Sequence, residues 1–158
     1  LQFEGYSPEK TNRALDPLAM IRAYQVNAIG PALVAKHMLP LMRKDTRSVF
    51  AALSARVGSI GDNRLGGWHS YRASKAALNM LIKTMALEHA RKNPLGLCVG
   101  LRPGTVQTAL SQPFRPDAAA SGILSPQQSA DHLLRVIGHL TPEQTGGLFG
   151  WDGIEIRP

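Results

Sequence analysis

The sequence predicts an α/β domain built on a parallel sheet of about three strands with long flanking helices. Three observations carry this. The short apolar runs near Ser48–Leu53, Leu97–Leu101 and Gly147–Trp151 have the length of strands, and the first two lack the polar alternation of a half-exposed strand. The longer segments near Leu18–Met42, Tyr71–Lys92 and Pro126–Leu140 read as helices. Turn and hydroxyl residues gather just after the first two strands, which is where open α/β sheets bind ligands.

The first helix begins cleanly. Asp16 suits the N-cap and Pro17 the first helical position. Apolar residues recur at Leu18, Ile21, Val26, Ile29, Leu33 and Val34, as in a long buried helix. Asn27 and Gly30-Pro31 interrupt this pattern. Pro31 has no N–H, so the carbonyl four positions back, at Asn27, loses its helical partner. A bend near Asn27 with a free backbone acceptor is expected. One reading is a plain proline kink that tolerates Asn27. The other is a freed carbonyl that holds a water beside a reactive centre.

The strand Ser48–Leu53 runs into Ser54-Ala55-Arg56-Val57-Gly58-Ser59. Ser54 and Ser59 are candidates to donate a hydrogen bond to a substrate oxygen, or else simply cap the loop. The third segment opens with Ser70-Tyr71-Arg72-Ala73-Ser74-Lys75. On a helix, Tyr71 and Lys75 lie one turn apart on one face. A cationic amine beside a phenol favours the phenolate and lowers its pKa, which suits proton transfer near neutral pH. Spacing alone is weak support, because Tyr6 and Lys10 share it around Pro8, in a stretch that reads as loop. The strand Leu97–Leu101 ends in Arg102-Pro103-Gly104-Thr105-Val106-Gln107-Thr108, where Pro-Gly is a turn signal that exposes backbone and hydroxyl groups at the same sheet edge. Leu110–Leu124 reads as an irregular loop or short lid, with Leu110 and Phe114 available as an apolar wall.

Composition excludes several classes. The net charge is +7, from 18 basic and 11 acidic side chains, but the basic residues are scattered and aromatics are only 6%, against a nucleic-acid surface. The charge instead suits cofactor phosphates or an acidic partner. No apolar run is long enough to span a membrane. The single Cys98 reads as a small buried hydrophobe, and one cysteine is compatible with a reducing cytoplasm. The five histidines lack a metal-binding spacing. His132 and His139 suit a solvated face, and His69 either lines a cleft or lies at the surface.

Asn27, a Ser-rich strand end, Tyr71-x-x-x-Lys75 and Pro103-Gly104-x-x-x-Thr108, in that order, resemble the short-chain dehydrogenase/reductases. Gly58-Ser59-Ile60, Asp62-Asn63, Gly66-Gly67 and Trp151-Asp152-Gly153 are similar to the C-factor and Sniffer-type carbonyl reductases within them. The resemblance covers nearly the whole chain. It implies an NAD(P)(H)-dependent oxidoreductase, using NADP or NAD, that reduces a small-molecule carbonyl or oxidises an alcohol. Tyr71 would be the general acid/base, and Lys75 would lower its pKa and bind the nicotinamide ribose. The backbone of Asn27 would hold a water in a proton relay. Pro103, Gly104, Val106 and Thr108 would contact the nicotinamide end of the cofactor. The catalytic serine would fall at position 55, which is Ala55; Ser54 is the candidate substitute, with Ser59 the other.

The family's Gly-rich phosphate turn and its Asn-Asn-Ala-Gly element have no counterpart in these 158 residues. Residues 1–158 are therefore expected to form a single partial domain, the C-terminal half of a Rossmann-type doubly wound parallel sheet. Cofactor binding by this part alone is then doubtful. The expected partners are the missing N-terminal half, or a second copy through the long helices. The alternative function is a non-catalytic dimerisation, interaction or signalling module. No membrane or nucleic-acid partner is expected, and the location expected is cytoplasmic.

Overall fold

A computed structural model describes residues 7–109, 111–114 and 122–157. In chain order the helices are α1 (Pro17–Tyr24), α2 (Gly30–Met38), α3 (His69–Ala90) and α4 (Pro126–His139). The strands are β1 (Ser48–Leu53), β2 (Gly96–Arg102), β3 (Thr105–Val106), β4 (Ile123–Leu124) and β5 (Leu148–Gly150). The main sheet is parallel with order β1-β2-β5. Its register runs from Ser48 opposite Gly96 to Leu53 opposite Leu101, and from Gly100 opposite Leu148 to Arg102 opposite Gly150. The three strands and three helical segments expected from the sequence are present, with most ends shifted by a residue or two and α2 ending at Met38, four residues before Met42.

β2 explains the layering. Its alternate residues serve two cores, as a strand buried on both faces must. Cys98 packs with Leu78, Ile82 and Ala86 of α3 and with Ala28 and Ala35. Leu97, Val99 and Leu101 pack with Val136 of α4, with Leu140 just beyond its end and with Phe149. Helices thus cover both faces of one parallel sheet, the doubly wound arrangement.

Local signals set the helix starts. The Asp16 carboxylate accepts from the Ala19 N–H at 2.8 Å, with Pro17 at the first position of α1. Ser125 and Gln128 form a reciprocal capping box on α4. Between α1 and α2 the helix continues as a π-helical turn over Gln25–Ile29, closed by the Gly30 N–H donating to the Gln25 carbonyl. The irregularity expected at Asn27 therefore takes the form of a wider turn within one helix.

Two expectations change. Leu18, Ile21, Val26, Ile29, Leu33 and Val34 do not form the buried face of this helix; each is about half exposed or more, Leu18 reaching 65%. The buried face is made of alanines, Ala19, Ala23, Ala28 and Ala35, whose small size allows close approach to α3 and turns the large side chains outward. Within the segment expected to be an irregular loop, Ile123–Leu124 forms β4 and pairs in parallel with β3. Leu110 and the side chain of Phe114 lie outside the described residues, as does Tyr6.

Candidate functional site

The site is built around the start of α3. Gly66, Gly67 and Trp68 all have left-handed backbone, with φ of 63°, 64° and 53°. Two of these positions suit glycine and the third holds an indole at some conformational cost. Trp68 occupies the N-cap but provides no side-chain cap. That role falls to Glu9, far away in sequence. Its carboxylate accepts from the Ser70 N–H at 3.2 Å and from the Ser70 hydroxyl, while its backbone carbonyl accepts from the Trp68 N–H at 2.5 Å. Burial is the largest single influence and raises the Glu9 pKa, but the hydrogen bonds from Ser70 and from its own backbone, with His69 nearby, together outweigh it, and the net shift is downward. Glu9 thus presents an anion to a helix N-terminus. Sequence reading missed it, because a cap delivered from another segment leaves no local spacing signal.

One residue beyond Ser70 stands Tyr71. The Trp68 ring meets it edge-on, with centroids 6.5 Å apart and planes at 65°. Lys75 follows one turn later, 9% exposed, its Nζ donating to the Leu53 carbonyl at 2.9 Å and lying 5.9 Å from the centre of the Tyr71 ring. The Ser74 hydroxyl donates to the Tyr71 carbonyl at 2.9 Å and accepts from Asn27 Nδ2 at 3.1 Å. The π-turn is thereby tied to the same helical turn as the Tyr–Lys pair. Gly58 allows the loop after β1 to press on this turn: a Cβ there would lie 2.7 Å from the backbone carbonyl carbon of Lys75.

The electrostatics differ from the sequence expectation. Lys75 was expected to lower the phenol pKa of Tyr71. In the structure burial pushes the phenol up, and burial also pushes the Lys75 amine down to about 8. The reason is geometric: the amine is directed to a backbone carbonyl, so desolvation governs both groups.

Ser54, Tyr71, Pro103, Gly104, Val106 and Thr108 line one cleft of about 480 Å³. Lys75 and Asn27 are not among its lining residues; Lys75 contacts the Tyr71 ring and Asn27 is bonded to Ser74. Gly104 turns the chain at φ 80°, and a Cβ there would lie 2.8 Å from the Trp151 ring, so neither its backbone nor its surroundings suit a larger residue. Ser54 is buried, and its hydroxyl donates to Asn79 Oδ1 at 2.6 Å, so its proton is already directed away from the cleft. Ser59 is also buried, does not line the cleft, and accepts from the Asp62 N–H at 3.1 Å in the turn. His69 lies off the cleft wall, its Nδ1 buried without a partner among the described residues. His132 stacks edge-on with Trp151 at 4.9 Å. Cys98 is fully buried, its thiol pushed up to about 12 by burial. Among the described residues no His, Cys, Asp or Glu cluster has the makings of a metal site, and no helix is long and apolar enough to cross a membrane.

Known proteins share this arrangement. The sequence profile of the short chain dehydrogenase family matches residues 5–119. The C-signal of Myxococcus xanthus is 38% identical over 143 residues, covering 90% of this chain and 80% of that protein. A 1-hydroxy-2-glutathionyl-2-methyl-3-butene dehydrogenase of Rhodococcus sp. (strain AD45) is 33% identical, with 91% of this chain covered. This chain spans only 61% of that dehydrogenase. Among solved structures, the carbonyl reductase Sniffer of D. melanogaster superposes with a TM-score of 0.83 at 26% identity, covering 99% of this chain and 64% of that one. An NADPH-bound carbonyl reductase from chicken fatty liver gives 0.82, also at 26% identity and with 64% of its length covered. With the profile match running across the Tyr71–Lys75 turn and the Pro103–Gly104 turn, and the whole described fold superposing on these reductases, the chain belongs to the short-chain dehydrogenase/reductase family, in its C-factor- and Sniffer-like branch.

Proposed function

We propose that residues 1–158 are the catalytic half of a nicotinamide-dependent oxidoreductase that interconverts a small carbonyl compound and its alcohol. One observation carries the reading: Tyr71 lines the same cleft as Pro103, Gly104, Val106 and Thr108, with Lys75 one helical turn further along α3. The residues present fit the nicotinamide end of NADP or NAD. Lys75 Nζ has three donors and a hydrogen bond to Leu53, leaving donors for ribose hydroxyls. Pro103, Gly104, Val106 and Thr108 offer backbone and a hydroxyl on the same cleft. When bound, the cofactor gives or takes a hydride at the carbonyl carbon.

The chain's own residues handle the proton. In reduction the Tyr71 hydroxyl gives its proton to the carbonyl oxygen as that oxygen gains negative charge, and the phenolate is reprotonated afterwards. The raised phenol pKa keeps Tyr71 protonated at neutral pH, so it is ready as an acid. In this reading the backbone carbonyl of Asn27 holds a water in the relay that restores the proton, and the Asn27–Ser74 hydrogen bond only fixes the π-turn against the turn that carries Tyr71. Ser54 holds the end of β1 to α3 through Asn79 and only its position, not its committed proton, serves the cleft.

The test is Tyr71→Phe in a form of the protein that binds cofactor. Turnover of a carbonyl substrate is expected to fall by about 10²–10⁴-fold with an unchanged circular dichroism spectrum, since only a hydroxyl is removed. A variant that retains turnover overturns the assignment.

A further inference from the structure

Four arginines, Arg56, Arg64, Arg72 and Arg102, line the cleft beside Tyr71, against one aspartate, Asp62. Two of the four are engaged. Arg56 Nε meets Asp62 Oδ2 at 2.6 Å. The Arg72 guanidinium donates to the Gly67 carbonyl at 3.0 Å and to the Val57 carbonyl at 3.4 Å, bracing the loop that precedes α3. Arg64 is exposed at the cleft edge.

Arg102 differs from these. It ends β2 and is partly buried. Alternation along β2 sets its direction: Cys98 packs in the α3-side core, and a Cβ at Gly100 would sit 3.4 Å from Ile82 of α3. Arg102, two residues on, leaves the sheet on that same face, beside Tyr71. Among the described residues it has no acidic partner. A guanidinium always carries its charge and presents a planar fork that matches a carboxylate. Partly withdrawn from water and without a counter-ion among the described residues, it is poised to gain from an anion entering the cleft.

We infer that the cleft takes a carbonyl compound that also carries a carboxylate, with Arg102 as the counter-ion for that carboxylate and Arg64 adding attraction at the mouth. This rests on the reading of Tyr71 as the group that faces the carbonyl oxygen. It adds a substrate class to that reading: an oxo acid rather than a neutral ketone or aldehyde.

The experiment compares 4-formylbenzoate with its neutral isostere 4-formylbenzamide, using calorimetric binding to a cofactor-competent form that contains the whole chain and to its Arg102→Gln, Arg102→Lys and Tyr71→Phe variants. The acid is expected to bind about tenfold tighter than the amide at low salt, with the gap narrowing as salt is raised. Arg102→Gln is expected to remove the gap by weakening the acid alone, Arg102→Lys to restore part of it, and Tyr71→Phe to keep it. Equal affinities in the unmodified chain overturn the inference. So does a gap that survives in Arg102→Gln, or a loss in that variant confined to NADPH affinity, which would assign Arg102 to the cofactor. Because the readout is binding, it separates the two readings: acid-selective binding without turnover in any cofactor-competent form defeats the reductase reading and upholds the anion site.

Discussion

Tyr71 and Lys75 are a half-buried acid and a buried base whose pKa values move in opposite directions, the phenol up and the amine down to about 8. The amine's shift is also a statement about stability. Between pH 8 and 10.5 the unfolded chain holds a proton on Lys75 that the folded chain has released, so folding stability rises with pH in that window. Below pH 8 both states are charged and the full cost of burying the ammonium is present, on the order of 3 kcal/mol. Lys75→Met is expected to remove this dependence. Tyr71 and Cys98 pull the other way at higher pH, so the informative quantity is the difference between the unmodified chain and the variant in urea unfolding. That difference should shift in the variant's disfavour as pH rises from 8 to 10.5; a flat difference would show that the amine is not desolvated. At this scale the sequence revealed the pair through its spacing in an Ala- and Leu-rich stretch. It did not reveal the direction of the Lys75 amine, because the Leu53 carbonyl that holds it lies on β1, which no local pattern connects to α3.

The functional elements are helix ends and turns held by partners from elsewhere in the chain. α3 depends on Glu9 for its cap, since Trp68 at the N-cap makes no side-chain cap. Glu9→Gln keeps the shape and removes the charge. The expected loss is about 1.5–3 kcal/mol at neutral pH, the range for a hydrogen bond to a charged group. The Glu9 pKa is lowered in the folded state, so its contribution is present above the ordinary value of 4.5 and fades as pH falls through the folded value. The gap between the two proteins should therefore close in acid; a gap of constant size would mean that the substitution acts through packing instead. The π-turn was legible in part. Pro31 announced a missing donor and Asn27 marked the place, but a sharp bend and a widened turn both follow from that signal. The choice was made by packing of Ala28 and Ala35 against α3. The same packing reversed the expected buried face of α1 and α2, because hydrophobic periodicity marks an apolar stripe without saying which side of it meets the core.

For the whole molecule, the parallel sheet and its two helical layers were readable because β1 and β2 are short, apolar and bounded by turn residues. The β3–β4 pairing was not, since two-residue strands carry no period. β1 has a neighbour on one edge only among the described residues, and the large side chains of α1 and α2 face outward. Both are surfaces that a further part of a dinucleotide-binding sheet would cover. The chain alone is expected to bind NADPH no tighter than about millimolar. Joined in one polypeptide to a Gly-rich strand–turn–helix segment, which supplies backbone donors for the pyrophosphate, it should bind in about the micromolar range by calorimetry. Micromolar binding by the chain alone would overturn the partial-domain reading.

α3 is also the crossover that joins the parallel strands β1 and β2. Such crossovers are right-handed in nearly all proteins, because the twist of strands made of L-residues permits only that return. This fixes the face of the sheet that carries Tyr71. A carbonyl hydrogen-bonded to Tyr71, with its two substituents held by the cleft walls, would offer one of its faces to the hydride. In the proposed reaction a prochiral ketone would give one enantiomer of its alcohol. The side of the sheet on which that choice is made would descend, through a single crossover connection, from the handedness of the amino acids.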